Sequence, residues 1–556
     1  MNANVNQEGG NWGSSIFFIA NLLNFVLATA VFTIPFPMHE VGIILGTIIL
    51  AITCFISVIA CTFIVEALAL KNSLLKREQI IFNKATKDSE QEIQNLNKNN
   101  QNKDKDNDED RPTFLSKETL ISNLEVDAKK EEEEKEKIND NKKQELLNDI
   151  ITNDEREMKE RILPIENEEE SVLDEKNDSF YIKKRFEISK LSKILPKAGY
   201  FFVVITIICY LYVGVTSNSI IAGNNLKDII GKTFGVKEMP GYSYYLVVGI
   251  FFIVTIIIAL NNIKHLKKFS MFIMIMRFII IFLIMGCCFY SMGKYGISKF
   301  SNIPKFDISN ITVMIGNSLF VFMSHHSIPG MVENFTPQRR LIKLLIVGYF
   351  CSLIFIVLYS YVGLFAFSDP DLKCDKNGPF PIAIQSTFSS NFLGLSVVGY
   401  IINYYPALNV ITSGMQLITL RNNILDAIAG CNPELSKSLN FAEQSGFIPL
   451  LKNFVFNTIV AIPPITIGLL LQNIQSLMKY FSSILGFLLM LIVPILVVNG
   501  YRNIFYKRKY KFSKLNRSFF KTKYGNIFII CMSFIIFGLI IFGFAKNTNN
   551  KTCVNE

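Results

Sequence analysis

Two adjacent histidines, His325 and His326, stand inside the apolar run 309–331 and make up half of the four histidines in the chain. Imidazole changes charge near neutral pH, so either ring could hydrogen-bond a solute or carry a coupling proton. A polar pair at membrane depth is costly unless it faces a cavity or a partner. The bland alternative is packing, in which each ring staples two helices together. Ser324 and Ser327 flank the pair and Pro329-Gly330 follow it, the pattern of a helix interrupted midway. A second run, 14–36, carries Asn24, then the small residues Ala28, Thr29 and Ala30, then Pro35 and Pro37. Where a spanning helix is broken, its freed backbone groups line a cavity and can hold a carboxylate or a cation away from lipid. Ala28, Thr29, Ala30, Ser324, His325, His326 and Ser327 are therefore the candidate solute-binding residues.

Asn24, Thr412 and Ser413 offer uncharged oxygens, the ligand type that suits a weakly held Na+, with Asn24 and Thr412 the candidate contacts. His326 is the matching candidate for a coupling proton. The same oxygens could equally be polar glue between helices. Glu66 and Arg277 are the main ionisable intrusions into apolar runs. Glu66 lies near a helix end and reads as structural or gating, whereas Arg277 needs an internal partner or a path to the interface. No Ser/His/Asp set, metal-ligand cluster or phosphate cradle stands out among the polar residues of the runs. The expectation is a non-enzyme that needs no cofactor beyond Na+ or H+ as a coupling ion.

The elements that position these groups are helices in a bilayer. Half of the 556 residues are hydrophobic, with 48 Phe and one Trp, outside the soluble range. Apolar runs long enough to cross about 30 Å of hydrocarbon recur near 14–36, 43–70, 199–220, 242–260, 270–292, 309–331, 341–367, 392–420, 449–472, 477–499 and 525–544. The expected fold class is thus an all-α integral membrane protein with about eleven spans. Residues 1–11 lack the features of a cleavable signal, so the first run is expected to stay as a helix.

The basic loop between the last two runs, from Arg502 to Lys523, contains no acidic residue. Basic loops are retained inside, which puts the N-terminus in the cytoplasm and the C-terminus outside. The formal charge of +10 is mostly this bias; it suits anionic lipid headgroups, and nothing else supports nucleic-acid binding. Seven of the ten cysteines lie in apolar runs as small hydrophobes. Cys374 and Cys553 both fall on the expected outer side and are a candidate disulfide, and Asn550 opens a candidate glycosylation sequon there.

Four parts follow: 1–70, a tail and two spans; 71–184, a charged Asn/Lys/Glu-rich insert expected to be disordered, with some transient helix, and cytoplasmic; 185–546, nine further spans; and 547–556, a short extracytoplasmic tail. The two interrupted runs are the first and the sixth, the positions at which transporters built from inverted five-helix repeats place their broken helices.

The chain resembles the amino acid/auxin permease superfamily. Residues 24–35 (NFVLATAVFTIP) look like its first-helix signature, and 322–329 (FMSHHSIP) is the most specific match. Residues 63–67 (FIVEA), 185–188 (RFEI), 276–278 (MRF), 419–423 (TLRNN) and Glu333 are similar as well. The resemblance implies a LeuT-like inverted-repeat fold with eleven helices and a pocket between helices one and six. It also implies proton or sodium coupling, with Asn24 and Thr412 at cation-contacting positions and an unwound stretch at Ala28, Thr29 and Ala30. Two glycines of the signature are Ala here, and Ala is about 1 kcal/mol better than Gly in a helix, so helix one should be less broken than in the family.

The expected function is secondary active transport of amino acids or related small solutes across a plasma or vacuolar/lysosomal membrane. Its partners are a small-molecule substrate and the lipid bilayer. The competing reading is a transporter-like sensor or scaffold that signals through the insert. A channel or membrane enzyme ranks third, without a pore ring or catalytic set to support it.

Overall fold

The computed structural model describes residues 12–105, 180–236, 240–260, 263–332, 335, 338–368, 380, 384–439, 446–513, 515–519 and 523–551. Glu333, Cys374 and Cys553 lie outside them, as does the part of the insert at 106–179. Among the described residues there is no strand.

In chain order the helices are α1 (Trp12–Thr33), α2 (Pro35–Val41), α3 (Ile43–Lys105), α4 (Ile188–Ser192), α5 (Lys197–Thr233), α6 (Tyr242–Ala259), α7 (Ile263–Tyr295), α8 (Ile311–Val321) and α9 (Ile328–Val332). Then come α10 (Leu341–Phe367), α11 (Val397–Tyr404), α12 (Asn409–Cys431), α13 (Pro433–Leu439), α14 (Phe447–Leu470), α15 (Ile474–Leu477), α16 (Ser483–Phe487), α17 (Val493–Lys507) and α18 (Lys523–Lys551). Two π-helical turns, Met478–Ser482 and Leu488–Ile492, join α15, α16 and α17 into one rod. Nine helices among the described residues are long and apolar enough to cross a membrane, and the protein is a multi-pass membrane protein.

Nine, rather than the expected eleven, has a local cause. The sixth run divides into α8 and α9, with 322–327 non-helical between them. The eighth divides at a 3-10 turn, Tyr405–Leu408, because Pro406 lacks an N–H and its ring crowds the preceding turn, and the 23-residue helix after it, with Arg421, Asn422, Asn423 and Asp426, is long enough but not apolar enough to be counted.

The chain separates into two units, Met1–Leu74 with Asn177–Glu556, and Leu75–Lys176. The second is described only at its start, where α3 runs on to Lys105. That stretch, expected to be disordered from Lys71, is helix as far as it is described, and its Lys, Glu, Gln and Leu are good helix formers. Asn550 falls in the last turn of α18.

Within the first unit, α5, α6, α12 and α14 pack on one another, while α1 packs on α8, α10 and α7. Gly316 of α8 lies so close to the Met478 carbonyl that a Cβ there would overlap it, so glycine lets α8 seat against the π turn. Gly42, at φ 89°, makes the sharp turn between α2 and α3 that an L side chain rarely adopts.

Candidate functional site

The break in the sixth span is built from residues that give up helix readily. Ser324, His325, His326 and Ser327 are mediocre helix formers, and Pro329 disfavours helix in the residue before it and withholds a donor. The chain restarts when Ser324 accepts from the N–H of Ser327 at 2.9 Å and from that of Ile328 at 3.2 Å.

Neighbouring spans satisfy the freed groups. Ser57 of α3 donates to the Phe322 carbonyl at 2.7 Å, and Tyr349 of α10 reaches the same oxygen at 3.3 Å. The Tyr349 hydroxyl also meets the Ser324 hydroxyl and lies 3.0 Å from Cys61 Sγ.

The histidines sit in this frame. His325 is fully buried, and neither ring nitrogen has a hydrogen-bond partner among the described residues. His326 is half-buried, its ring 5.8 Å from that of Tyr210 on α5 and its Nδ1 buried without a partner. Buried polar atoms are nearly always paired, and three ring nitrogens at this one break, both of His325 and Nδ1 of His326, depart from that rule.

Asn24 is brought to Arg277. The guanidinium Nη1 donates to the Asn24 carbonyl at 2.7 Å and to its Oδ1 at 2.6 Å, and Nε donates to the Tyr405 hydroxyl at 3.1 Å. Arg277 thereby gains the internal partner its depth demands. Thr412 and Ser413, grouped with Asn24 by the sequence reading, sit on α12 and make no hydrogen bond to it; the Ser413 hydroxyl is buried and unpaired.

Ala28, Thr29 and Ala30 lie in continuous helix, which corrects the expectation of an unwound stretch there. Thr33 donates to the Thr29 carbonyl at 3.1 Å as it would in any helix, and the helix yields only at Ile34, before Pro35. Ala30 instead lines a small apolar pocket with Leu27, Val31, Phe355, Ile356 and Tyr359.

Elements are bonded to one another at both ends of this region. At the end rich in basic residues, Glu66 and Arg502 form a bidentate pair at 2.9 and 2.7 Å, both buried. The Ser518 N–H donates to the Glu66 carboxylate at 3.0 Å, and Arg502 donates to the Ser518 hydroxyl at 2.9 Å. Nearby, burial holds the Glu187 carboxyl above the usual carboxylate range, opposed by the Arg185 charge. At the other end Gln475 accepts from Asn317 at 2.9 Å and donates to the carbonyls of Ser386 at 2.7 Å and Thr33 at 3.3 Å.

The family model described as transmembrane amino acid transporter protein matches residues 183–545. The chain belongs to that family. A relative called transmembrane protein 104 homolog, from Dictyostelium discoideum, is 23% identical over 543 residues, 95% of this chain and 96% of its own. Transmembrane protein 104 of Mus musculus is 20% identical over 88% of each chain, and that of Homo sapiens is 24% identical over 35% of this chain and 36% of its own.

In this member of the transmembrane amino acid transporter family, sequence reasoning missed Ser57, Tyr349, Tyr405 and Gln475. Ser57 and Tyr349 are polar residues in apolar settings, Gln475 is one of several polar residues at the start of its helix, and only the tertiary pairing distinguishes each. The signal for Tyr405 was Pro406 beside it, a helix breaker inside a run read as one span.

Proposed function

We propose that the chain carries out secondary active transport of amino acids or related small solutes, driven by a proton gradient, with the broken span α8–α9 at its centre. The observation that carries this reading is a fully buried His325 with both ring nitrogens unpaired beside a half-buried His326 with its Nδ1 unpaired, within a non-helical stretch of a transporter-family span. Backbone and side-chain groups left over there can bind a polar solute, and His326, the less buried ring, is the proton carrier.

Sodium at Asn24 and Thr412 fits less well, because Arg277 already donates to both oxygens that Asn24 offers and a second cation there would meet a fixed charge. We read the fold as the inverted five-helix repeat, with α8–α9 and α11–α12 as the sixth and eighth of eleven spans. The packing of α1 on α8, and of spans three, four, eight and nine on one another, supports that reading. The basic end, with Arg339, Arg340 and Lys507, then faces the cytoplasm.

The test is uptake of a labelled amino-acid panel into proteoliposomes, with proton and sodium gradients imposed separately. Proton-driven accumulation is expected, and His326→Ala should lower it by at least about tenfold, a loss of roughly 1.4 kcal/mol of transition-state stabilisation. No accumulation under either gradient, in protein shown to be folded, would remove the transport reading. The unbroken first helix favours a sensor as the second reading; that protein would recruit partners when solute is present without accumulating it.

A further inference from the structure

The segment 180–187, which joins the charged insert to α4, is non-helical from Tyr181 to Glu187, and its backbone is held by side chains. Gln338 accepts from the Ile182 N–H and donates to the Ile182 carbonyl, both at 2.8 Å. Asn72 accepts from the N–H groups of Lys183 at 3.2 Å and Lys184 at 2.9 Å, and donates to the Lys184 carbonyl at 3.1 Å. Asn516 donates to the Phe180 carbonyl at 3.3 Å and to Gln338 Oε1 at 3.2 Å.

Side chains add to this. Phe180 and Ile182 are buried, with the Phe180 ring 6.0 Å from that of Phe505. The Arg185 guanidinium lies against Gly330 of α9, where a Cβ would be 3.4 Å from Arg185 Cζ.

The holders come from four places that must separate if this end of the protein is to open. Asn72 is on α3, Phe505 is near the end of α17, Asn516 is in the loop before α18, and Gly330 and Gln338 belong to the short helix after the break and the turn that follows it. A surface connector would have its backbone groups satisfied by water. This one has six of them satisfied by three amide side chains, and neutral hydrogen bonds of that kind are individually weak enough to be released in turn.

We propose that 180–187 is a latch. Seated, it holds the cytoplasmic end closed across the broken span; unseated, it frees α9 to move and opens a path to His325 and His326. The latch rests on the transport reading for what the opening serves, though not for the closure itself. Its N-terminal side continues directly into the charged insert, so tension or added charge there reaches Phe180 first.

The test uses the full-length protein in lipid nanodiscs, with Ser327→Cys as reporter and a membrane-impermeant maleimide as probe. Labelling at position 327 and hydrogen exchange at 182–184 are both read by mass spectrometry. Asn72→Ala removes one holder, and Gln338→Glu keeps the acceptor for Ile182 while removing the donor to its carbonyl. Each should raise labelling and exchange together, by about tenfold, the size of one or two lost hydrogen bonds.

Exchange that rises while labelling stays unchanged would make the segment a passive connector and overturn the proposal. So would rapid labelling with the segment still protected. If Asn72→Ala fails to fold, the milder Gln338→Glu and a temperature series on the reporter protein alone give the same comparison. Latch-dependent labelling in the reporter, together with no solute uptake by the protein that keeps Ser327, would sink the transport reading and leave the latch standing.

Discussion

The guanidinium of Arg277 puts a permanent positive charge on the two Asn24 oxygens that a coupling Na+ would use. Removing it tests that substitution directly. In Arg277→Ala the oxygens are freed, and Na+ should then stabilise the protein in a thermal-shift titration, whereas the wild type should show no Na+-specific shift; equal responses would mean that Arg277 does not stand in for a cation. Glu66 makes a different point. Its pair with Arg502 is buried on both sides, and removing one partner of such a pair leaves an uncompensated charge. Glu66→Gln should cost about 3–5 kcal/mol in detergent unfolding, with part of the loss recovered when Arg502→Leu is added. Both residues were legible in the sequence as charges out of place. Their partners were not, because Arg502 lies 436 residues from Glu66 and Asn24 lies 253 from Arg277, and no local pattern spans such distances. The histidine pair was visible for the opposite reason: its oddity is entirely local.

Among the elements, the two helices marked as interrupted behave differently. In α8–α9 four mediocre helix formers coincide with a proline and the helix opens; in α1 two alanines hold it closed through Ala30. Ala28→Gly and Ala30→Gly should each weaken that helix by about 1 kcal/mol. The check is faster hydrogen exchange confined to residues 26–34; unchanged exchange in the double variant would show that packing by α8 and α10, not propensity, keeps α1 intact. Sequence patterning located the spans well because bilayer thickness sets their length. At the eighth run it passed over Pro406, where a 3-10 turn divides the helix. It could not see the π turns at Met478–Ser482 and Leu488–Ile492, which no residue type marks in the sequence.

For the molecule as a whole, the large insert leaves and re-enters the membrane unit at nearly one point. Asn72, on the outgoing helix, is bonded to Lys183 and Lys184 on the returning segment. Replacing residues 79–176 by a short flexible linker should therefore leave expression and melting temperature essentially unchanged, since the ends already meet; a large drop in melting temperature would show that the insert contributes to the fold of the core. The composition marked the insert as foreign to the membrane domain, but it gave no hint that the returning segment is gripped. That grip has a further consequence. The carboxamides of Asn72, Gln338 and Asn516 read the main chain of the segment, so the means of telling one peptide from another in this groove lie with the seats of the buried Phe180 and Ile182 side chains. Substitutions at Lys183 and Lys184 should be absorbed while those at the three carboxamides are not, and a short synthetic strand supplied in excess could compete for the groove as a decoy.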